Sequence, residues 1–244
     1  MYQNVYYEKE KNLIHCWDDE KGYFTSKYRR YAYVRDGNGA HTSIHGERLK
    51  KINFWKQDEG LELYESDVNE MTRFLIDQYG DSDEISKGHT ILTFDIEVEM
   101  NSGLPDTNEA KNAMTSVAGH DSVSGDYFVY VVNQGEKIDK TIKGARVVSF
   151  DTEEDMLVAF LNKWREINPT IITGWNIDFF DVTYLYNRMK RVLGESVANQ
   201  LSPIGKVTWN KYRNRYLIAG VSALDYIALF KNFTYTEYPN YRLD

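Results

Sequence analysis

The chain of 244 residues has a single cysteine and no long apolar run, and each scarcity excludes something. Cys16 has no partner for an internal disulfide, and the N-terminus lacks the basic start and apolar middle of an export signal. Together these point to a reducing, cytoplasmic compartment. No stretch approaches the roughly 18–20 apolar residues that span a bilayer, so no membrane segment is expected. The five histidines (15, 41, 45, 89 and 120) show no ligand spacing beyond His41/His45, in a predicted loop, which disfavours zinc. A glycine-rich phosphate loop and a Ser/His/Asp grouping are also missing. Positive charge is in deficit, with 29 Lys and Arg against 37 Asp and Glu and a net charge of −8. That balance argues against a surface that wraps nucleic acid over its whole extent, and it fits a site that collects cations.

What is present suits one large domain or two modest ones. Apolar residues make up 42% of the chain and charged residues 27%, with a heavy aromatic load of 19 tyrosines and five tryptophans. The first eighty or so residues read as strands and turns followed by one helix. "KYRRYAYVRDGNGAHTSI" predicts two strands paired about a Gly-Asn-Gly turn. "ESDVNEMTRFLIDQYGD" predicts a helix capped by Ser66, with Val68, Met71, Phe74 and Leu75 on its inner face and Gly80 as its stop. The polar stretch 80–88 is the best boundary. Beyond it, "HTILTFDIEVEM" predicts a strand, and "NSGLPDTNEAKN" a polar loop. "MTSVAGHD" and "DYFVYVVN" then form an antiparallel pair, and "ARVVSF" is a further strand. "DTEEDMLVAFLNKWREINP" reads as an amphipathic helix capped by Thr152, with Met156, Leu157, Phe160, Leu161 and Trp164 inward. A short strand "TIITGW" and the helix "FDVTYLYNRMKRVLGE" follow. This order predicts an α/β architecture, a mixed sheet flanked by helices, after a smaller mainly β domain.

The chemistry starts at Asp95 and Glu97. Side chains two apart on a strand share a face, so these two project together while Phe94, Ile96 and Val98 point to the core. Paired carboxylates repel one another unless a cation lies between them. On a half-exposed strand, alternating acids can also be nothing more than its wet face. "GWNIDFFDV" supplies a tight turn carrying Asn176 and Asp178, then Asp181 at a helix start, where an acid also serves as a simple cap. Their co-occurrence suggests convergence. Three or four carboxylates at one point favour Mg²⁺ or Mn²⁺, and two such ions about 4 Å apart suit phosphodiester hydrolysis.

"FDIEVE" and "GWNIDFFDV" resemble the first and second exonuclease motifs of family B DNA polymerases, in particular those of T-even-type bacteriophages. The resemblance continues through "LNKWREINPTIITGWN", "YNRMKRVLGE" and "GVSALDYIALFKNFTYTEYPNYRLD", covering roughly residues 88–244. Residues 1–87 resemble the polymerase N-terminal domain more weakly. The resemblance implies a ribonuclease-H-like exonuclease domain that removes mispaired nucleotides 3′→5′ from single-stranded primer ends. It implies Asp95, Glu97 and Asp181 as catalytic residues and ligands of two Mg²⁺ or Mn²⁺ ions, with Asn176 and Phe180 on the substrate side. Asp178 is then a neighbour of the site and not a ligand. Phe179 stands where the family often carries a small residue.

The family's third exonuclease motif, a Tyr followed shortly by an Asp, and the polymerase motifs are not found. The reading is therefore a domain incomplete at its C-terminal end, working with a second chain or segment that supplies both. Asp225 is an acid before an apolar helix, or alternatively a stand-in for the missing ligand. "WNKYRNRYL" predicts a hairpin whose Trp209, Lys211, Arg213 and Arg215 suit phosphate pairing and base stacking, or are an ordinary charged hairpin. "SKYRRYAYVR" has the same character and is read first as a solvated strand face. Expected partners are single-stranded DNA and a primer–template, in the cytoplasm of a phage-infected cell. The alternative is a single-stranded nucleic-acid-binding module that keeps the fold and hydrolyses nothing.

Overall fold

The computed structural model describes residues 1–53, 60–100, 103, 105–135, 137–236 and 238–242. Residues 101, 102 and 104 of the predicted polar loop and 243–244 of "YPNYRLD" lie outside the described residues. The chain divides into two compact units, Met1–Lys87 and Gly88–Asp244.

In the first unit, β1 (Tyr2–Glu8), β2 (Leu13–Asp18) and β3 (Gly22–Lys27) form an antiparallel sheet. The strands β4 (Ala32–Arg35), β5 (His41–Thr42), β6 (Arg48–Ile52) and β7 (Leu63–Tyr64) form another, in the order β5-β6-β4-β7. The hairpin predicted about Gly-Asn-Gly is therefore corrected: β4 and β5 both pair with β6, which lies between them. The turn itself forms, with Gly39 N–H donating to the Asp36 carbonyl at 2.8 Å. However, a Cβ at Gly39 would sit 2.2 Å from the Leu49 carbonyl oxygen. A bare backbone there lets β6 come in alongside. His41, expected in a loop, falls in β5 and sets its ring edge-on to Tyr33. The helix α1 (Glu70–Tyr79) is capped by Asn69, whose side chain accepts from Thr72 N–H, and not by Ser66. The later start turns Arg73 and Phe74 inward and leaves Met71 exposed. Phe74 joins Ile14, Cys16 and Tyr28 in this unit's core.

The second unit is built on a seven-stranded mixed sheet. Its strands are β8 (Ile91–Val98), β9 (Met114–Asp121), β10 (Tyr127–Val132), β11 (Asp139–Ile142), β12 (Ala145–Phe150), β13 (Ile171–Gly174) and, after a separate hairpin, β16 (Ser222–Asp225). Their spatial order is β11-β12-β10-β9-β8-β13-β16. The hairpin pairs β14 (Val207–Asn210) with β15 (Arg215–Ile218). Around the sheet run α2 (Glu153–Ile167), α3 (Asp181–Leu193), the short α4 (Glu195–Ala198) and α5 (Tyr226–Phe233). Leu92, Phe94 and Ile96 of β8 point into the core, where Phe94 meets Phe160 and Trp164 of α2, each at 6.0 Å between ring centroids. Thr152 caps α2 by accepting from Asp155 N–H, and the five residues expected on its inner face are buried. Among the described residues no helix is long and apolar enough to cross a membrane.

Candidate active site

The parallel strands β8, β13 and β16 lie side by side, and their carboxyl ends form one rim. The ends of parallel strands are where open α/β sheets most often bind ligands. Thr173 lies level with Thr93 on β8 and with Leu224 on β16, and Gly174 with Asp225. Asp95 and Glu97 extend β8 beyond the last β13 pairing. Both are exposed, on the face opposite Phe94 and Ile96. Across β9 they stand opposite the small residues Ala118 and Ser116, which leaves space around the two carboxylates.

Asp181 opens α3 and is buried, with a relative exposure of 3%. It does not cap that helix, although an acid at such a junction commonly does. Its Oδ1 instead accepts the Ile96 N–H at 3.1 Å, replacing the acceptor that a longer β13 would have offered to this edge of β8. Asp181 thus comes from the second motif to the strand carrying the first. Burial raises its carboxyl pKa to about 7, with the neighbouring Asp95 charge adding to the shift and the Ile96 hydrogen bond opposing it. Asp95 is also pushed above the ordinary carboxylate range, first by desolvation and then by the Glu97 charge. Asp95 thus has an acidic neighbour on either side, Glu97 along the strand and Asp181 from α3, all with oxygen donors of the kind a hard divalent cation takes. Among the described residues, however, no group of three or more Asp, Glu, His or Cys side chains is close enough to hold a metal ion by itself.

The turn 175–180 folds back over β13. A Cβ on Gly174 would come within 2.3 Å of the Ile177 side chain and 2.6 Å of the Phe94 carbonyl oxygen, so only glycine fits where the chain reverses. Asn176 has φ 64°, a left-handed conformation that Asn tolerates. Phe180 stacks on Tyr184 of α3 at 5.5 Å and packs against the core, while Phe179 is 64% exposed. Asp178 forms a close ion pair with Arg215 of the hairpin. Arg215 is therefore engaged with protein, whereas Lys211 and Arg213 are exposed at the hairpin turn beside a fully exposed Tyr212. Trp209 is half-buried and packs edge-on against Tyr216 at 4.9 Å. Asp178, Phe179, Arg213, Asn214, Arg215 and Asp225 line an open groove of about 410 Å³. Sequence reasoning gave no partner to Asp178 or Arg215, because their pairing joins residues 37 apart.

Arg188 of α3 anchors the segment that follows β8. It donates to both Glu153 carboxylate oxygens, at 2.7 and 2.6 Å, and to the Ala110 and Lys111 carbonyls at 3.0 and 2.7 Å. Tyr184 donates its hydroxyl to the Asn112 carbonyl at 2.8 Å.

Residues 80–244 match the family described as DNA polymerase family B, exonuclease domain. The chain is 35% identical over 223 residues to the DNA-directed DNA polymerase of Escherichia phage RB69, an alignment covering 77% of the chain and 24% of the phage protein. It is 30% identical over 227 residues to the DNA-directed DNA polymerase of Enterobacteria phage T4, covering 80% of the chain and 25% of that protein. The DNA polymerase delta catalytic subunit of Oryza sativa subsp. japonica is 37% identical over 100 residues, 40% of this chain and 9% of the plant protein. The chain thus spans about a quarter of the length of its phage relatives.

Proposed function

Because the chain belongs to the family B DNA polymerase exonuclease domain family, we propose that it is the N-terminal and proofreading portion of a phage-type DNA-directed DNA polymerase. In this reading its second unit hydrolyses phosphodiester bonds 3′→5′ at mispaired primer ends, and its first unit is the polymerase N-terminal domain. The observation that carries the proposal is that Asp181 lies buried beside Asp95, whose neighbour on the same face of β8 is Glu97, with no cationic side chain bound to any of the three among the described hydrogen bonds and ion pairs.

Their donor chemistry fits Mg²⁺ or Mn²⁺, and Asp95, Glu97 and Asp181 are the residues that would hold the ions. Bound divalent ions would supply an activated water and stabilise the leaving oxygen of the phosphodiester. The chain's own residues do the rest. In this reading Glu97 orients the water, and Asn176 and the exposed Phe179 meet the primer end. Lys211 and Arg213 meet its phosphates and Tyr212 stacks on a base. A further segment or second chain bearing the third motif and the polymerase domain completes the enzyme, in the cytoplasm of the infected cell.

A second reading has one observation in its favour. The described residues hold no complete metal cluster, which suits a single-stranded nucleic-acid-binding module that hydrolyses nothing alone. Degradation of a labelled single-stranded oligonucleotide with Mg²⁺ or Mn²⁺ separates the two. In the complete polymerase, Asp95→Ala with Glu97→Ala is expected to abolish primer degradation and leave nucleotide addition intact. Degradation that survives both changes would sink the assignment. Oligonucleotide binding with no cleavage, by this chain and by the complete polymerase alike, would establish the second reading.

A further inference from the structure

Asp225 ends β16 and is buried at the rim of the candidate site. Its side chain caps α5, with Oδ1 accepting the Ile227 N–H at 3.0 Å. That alone would make it an ordinary helix cap. The same carboxylate does two other things. Oδ1 also accepts the Asn176 N–H at 3.0 Å, and Oδ2 accepts the Asp178 N–H at 3.3 Å. Both donors belong to the second-motif turn, 49 and 47 residues away along the chain. Strand register makes this possible, because Asp225 lies level with Gly174, the last residue before the turn.

Asn176 occupies a left-handed conformation that Asn tolerates but most non-glycine residues avoid, and the Asp225 hydrogen bond to its N–H adds to what holds it there. A carboxylate is the one side chain whose two oxygens can each take backbone N–H groups with charge-assisted strength. The arrangement already gives both oxygens backbone donors, two on Oδ1 and one on Oδ2.

We propose that Asp225 is a positioning residue: one carboxylate that fixes the turn 175–180 against β16 and so sets Asn176 and Phe179 toward the primer end. The functional half of this proposal rests on the proofreading reading above; the structural half does not.

The test uses the full chain and two variants. Asp225→Ser keeps a good cap for α5 but cannot accept from both turn amides. Asp225→Asn keeps the shape and loses one acceptor oxygen. Three readouts are taken: hydrogen exchange of peptides covering 174–181 and 226–233, Mn²⁺ binding by electron paramagnetic resonance, and anisotropy of a fluorescein-labelled oligothymidylate in EDTA. In Asp225→Ser, exchange is expected to rise about tenfold in 174–181 and to stay near wild type in 226–233. Oligothymidylate binding should weaken by about tenfold, with Mn²⁺ binding unchanged. Asp225→Asn should fall between the two proteins. Unchanged exchange in 174–181 would overturn the brace. Loss of Mn²⁺ binding would make Asp225 a ligand and overturn the positioning role, as would oligothymidylate affinity equal to wild type despite a loosened turn. If the wild-type chain binds no oligothymidylate, the substrate part of the proofreading reading fails and the functional half falls with it. The exchange result then still decides the brace.

Discussion

At the scale of single residues, the acids are arranged against the stability of the fold. Asp181 is buried beside Asp95, and its carboxyl pKa lies near 7, above the ordinary value of 3.8. A raised carboxyl pKa means that the folded chain holds the proton more tightly than the unfolded one. This contribution is complete below about pH 4 and is lost as pH rises through about 7. Asp181→Asn keeps an acceptor for the Ile96 N–H and removes the charge. In EDTA it is expected to stabilise the chain by roughly 1–3 kcal/mol at pH 8, with the gain shrinking toward zero near pH 4. Thermal melts across that range read the difference, and a gain independent of pH would exclude burial of charge as its source. Asp95 and Glu97 were legible in the sequence because a strand's period of two is a local property. The work of Asp225 was not legible, since nothing near "VSALDYIAL" announces amides almost fifty residues away.

At the scale of elements, the long, strongly periodic pieces were readable and the short, distant pairings were not. β8, α2 and the hairpin β14–β15 follow from local pattern and turn chemistry. The four-residue strand β16 is recognisable only once β13 lies beside it. The β4–β5 error has the same origin: Gly-Asn-Gly specifies a turn, but β6 decides which strands pair. Arg188 links α3 to Glu153 of α2 and satisfies two loop carbonyls, and both partners of the ion pair are largely buried. Arg188→Met strands the Glu153 charge and should lower stability by roughly 3–5 kcal/mol in chemical denaturation. At the hairpin, Arg213 is exposed beside the groove while Arg215 is held by Asp178. Arg213→Ala should reduce the slope of log affinity against log salt for single-stranded DNA by about 0.7. A slope that does not move would remove Arg213 from the phosphate path.

At the scale of the whole molecule, each unit has its own core, one around Ile14, Cys16, Tyr28 and Phe74 and the other around β8, α2 and α3. Acid sensitivity is built into the first. Asp18 is buried, which by itself would raise its pKa. The N–H groups of Lys21 and Glu20, the Tyr79 hydroxyl and the N-terminal ammonium outweigh that effect and hold it at about 2. A lowered pKa stabilises the fold above the ordinary value of 3.8, and that stability disappears as pH falls through about 2. Asp18→Asn should therefore speed hydrogen exchange in 1–87 at pH 7, and the difference from wild type should close toward pH 2. The division into a mainly β unit and a mixed α/β unit could be read from the change of pattern after residue 80. The net charge of −8 said little about function, because the features that matter are local. A few acids gather at one rim and a few cations at one hairpin turn.

Trp175 stands one residue before Asn176. Its indole N–H donates to the Tyr241 carbonyl at 2.7 Å, and its ring lies 6.0 Å from Tyr226 and 5.6 Å from Phe230. An indole in such a setting emits at a wavelength governed by that one hydrogen bond and by the rings around it. The chain therefore carries an intrinsic fluorophore inside the turn 175–180, beside the candidate site. Subtracting the spectrum of Trp175→Phe from that of the wild type isolates its signal from the other four tryptophans. The position of the turn becomes readable in real time, without a label, as DNA or a divalent cation is added.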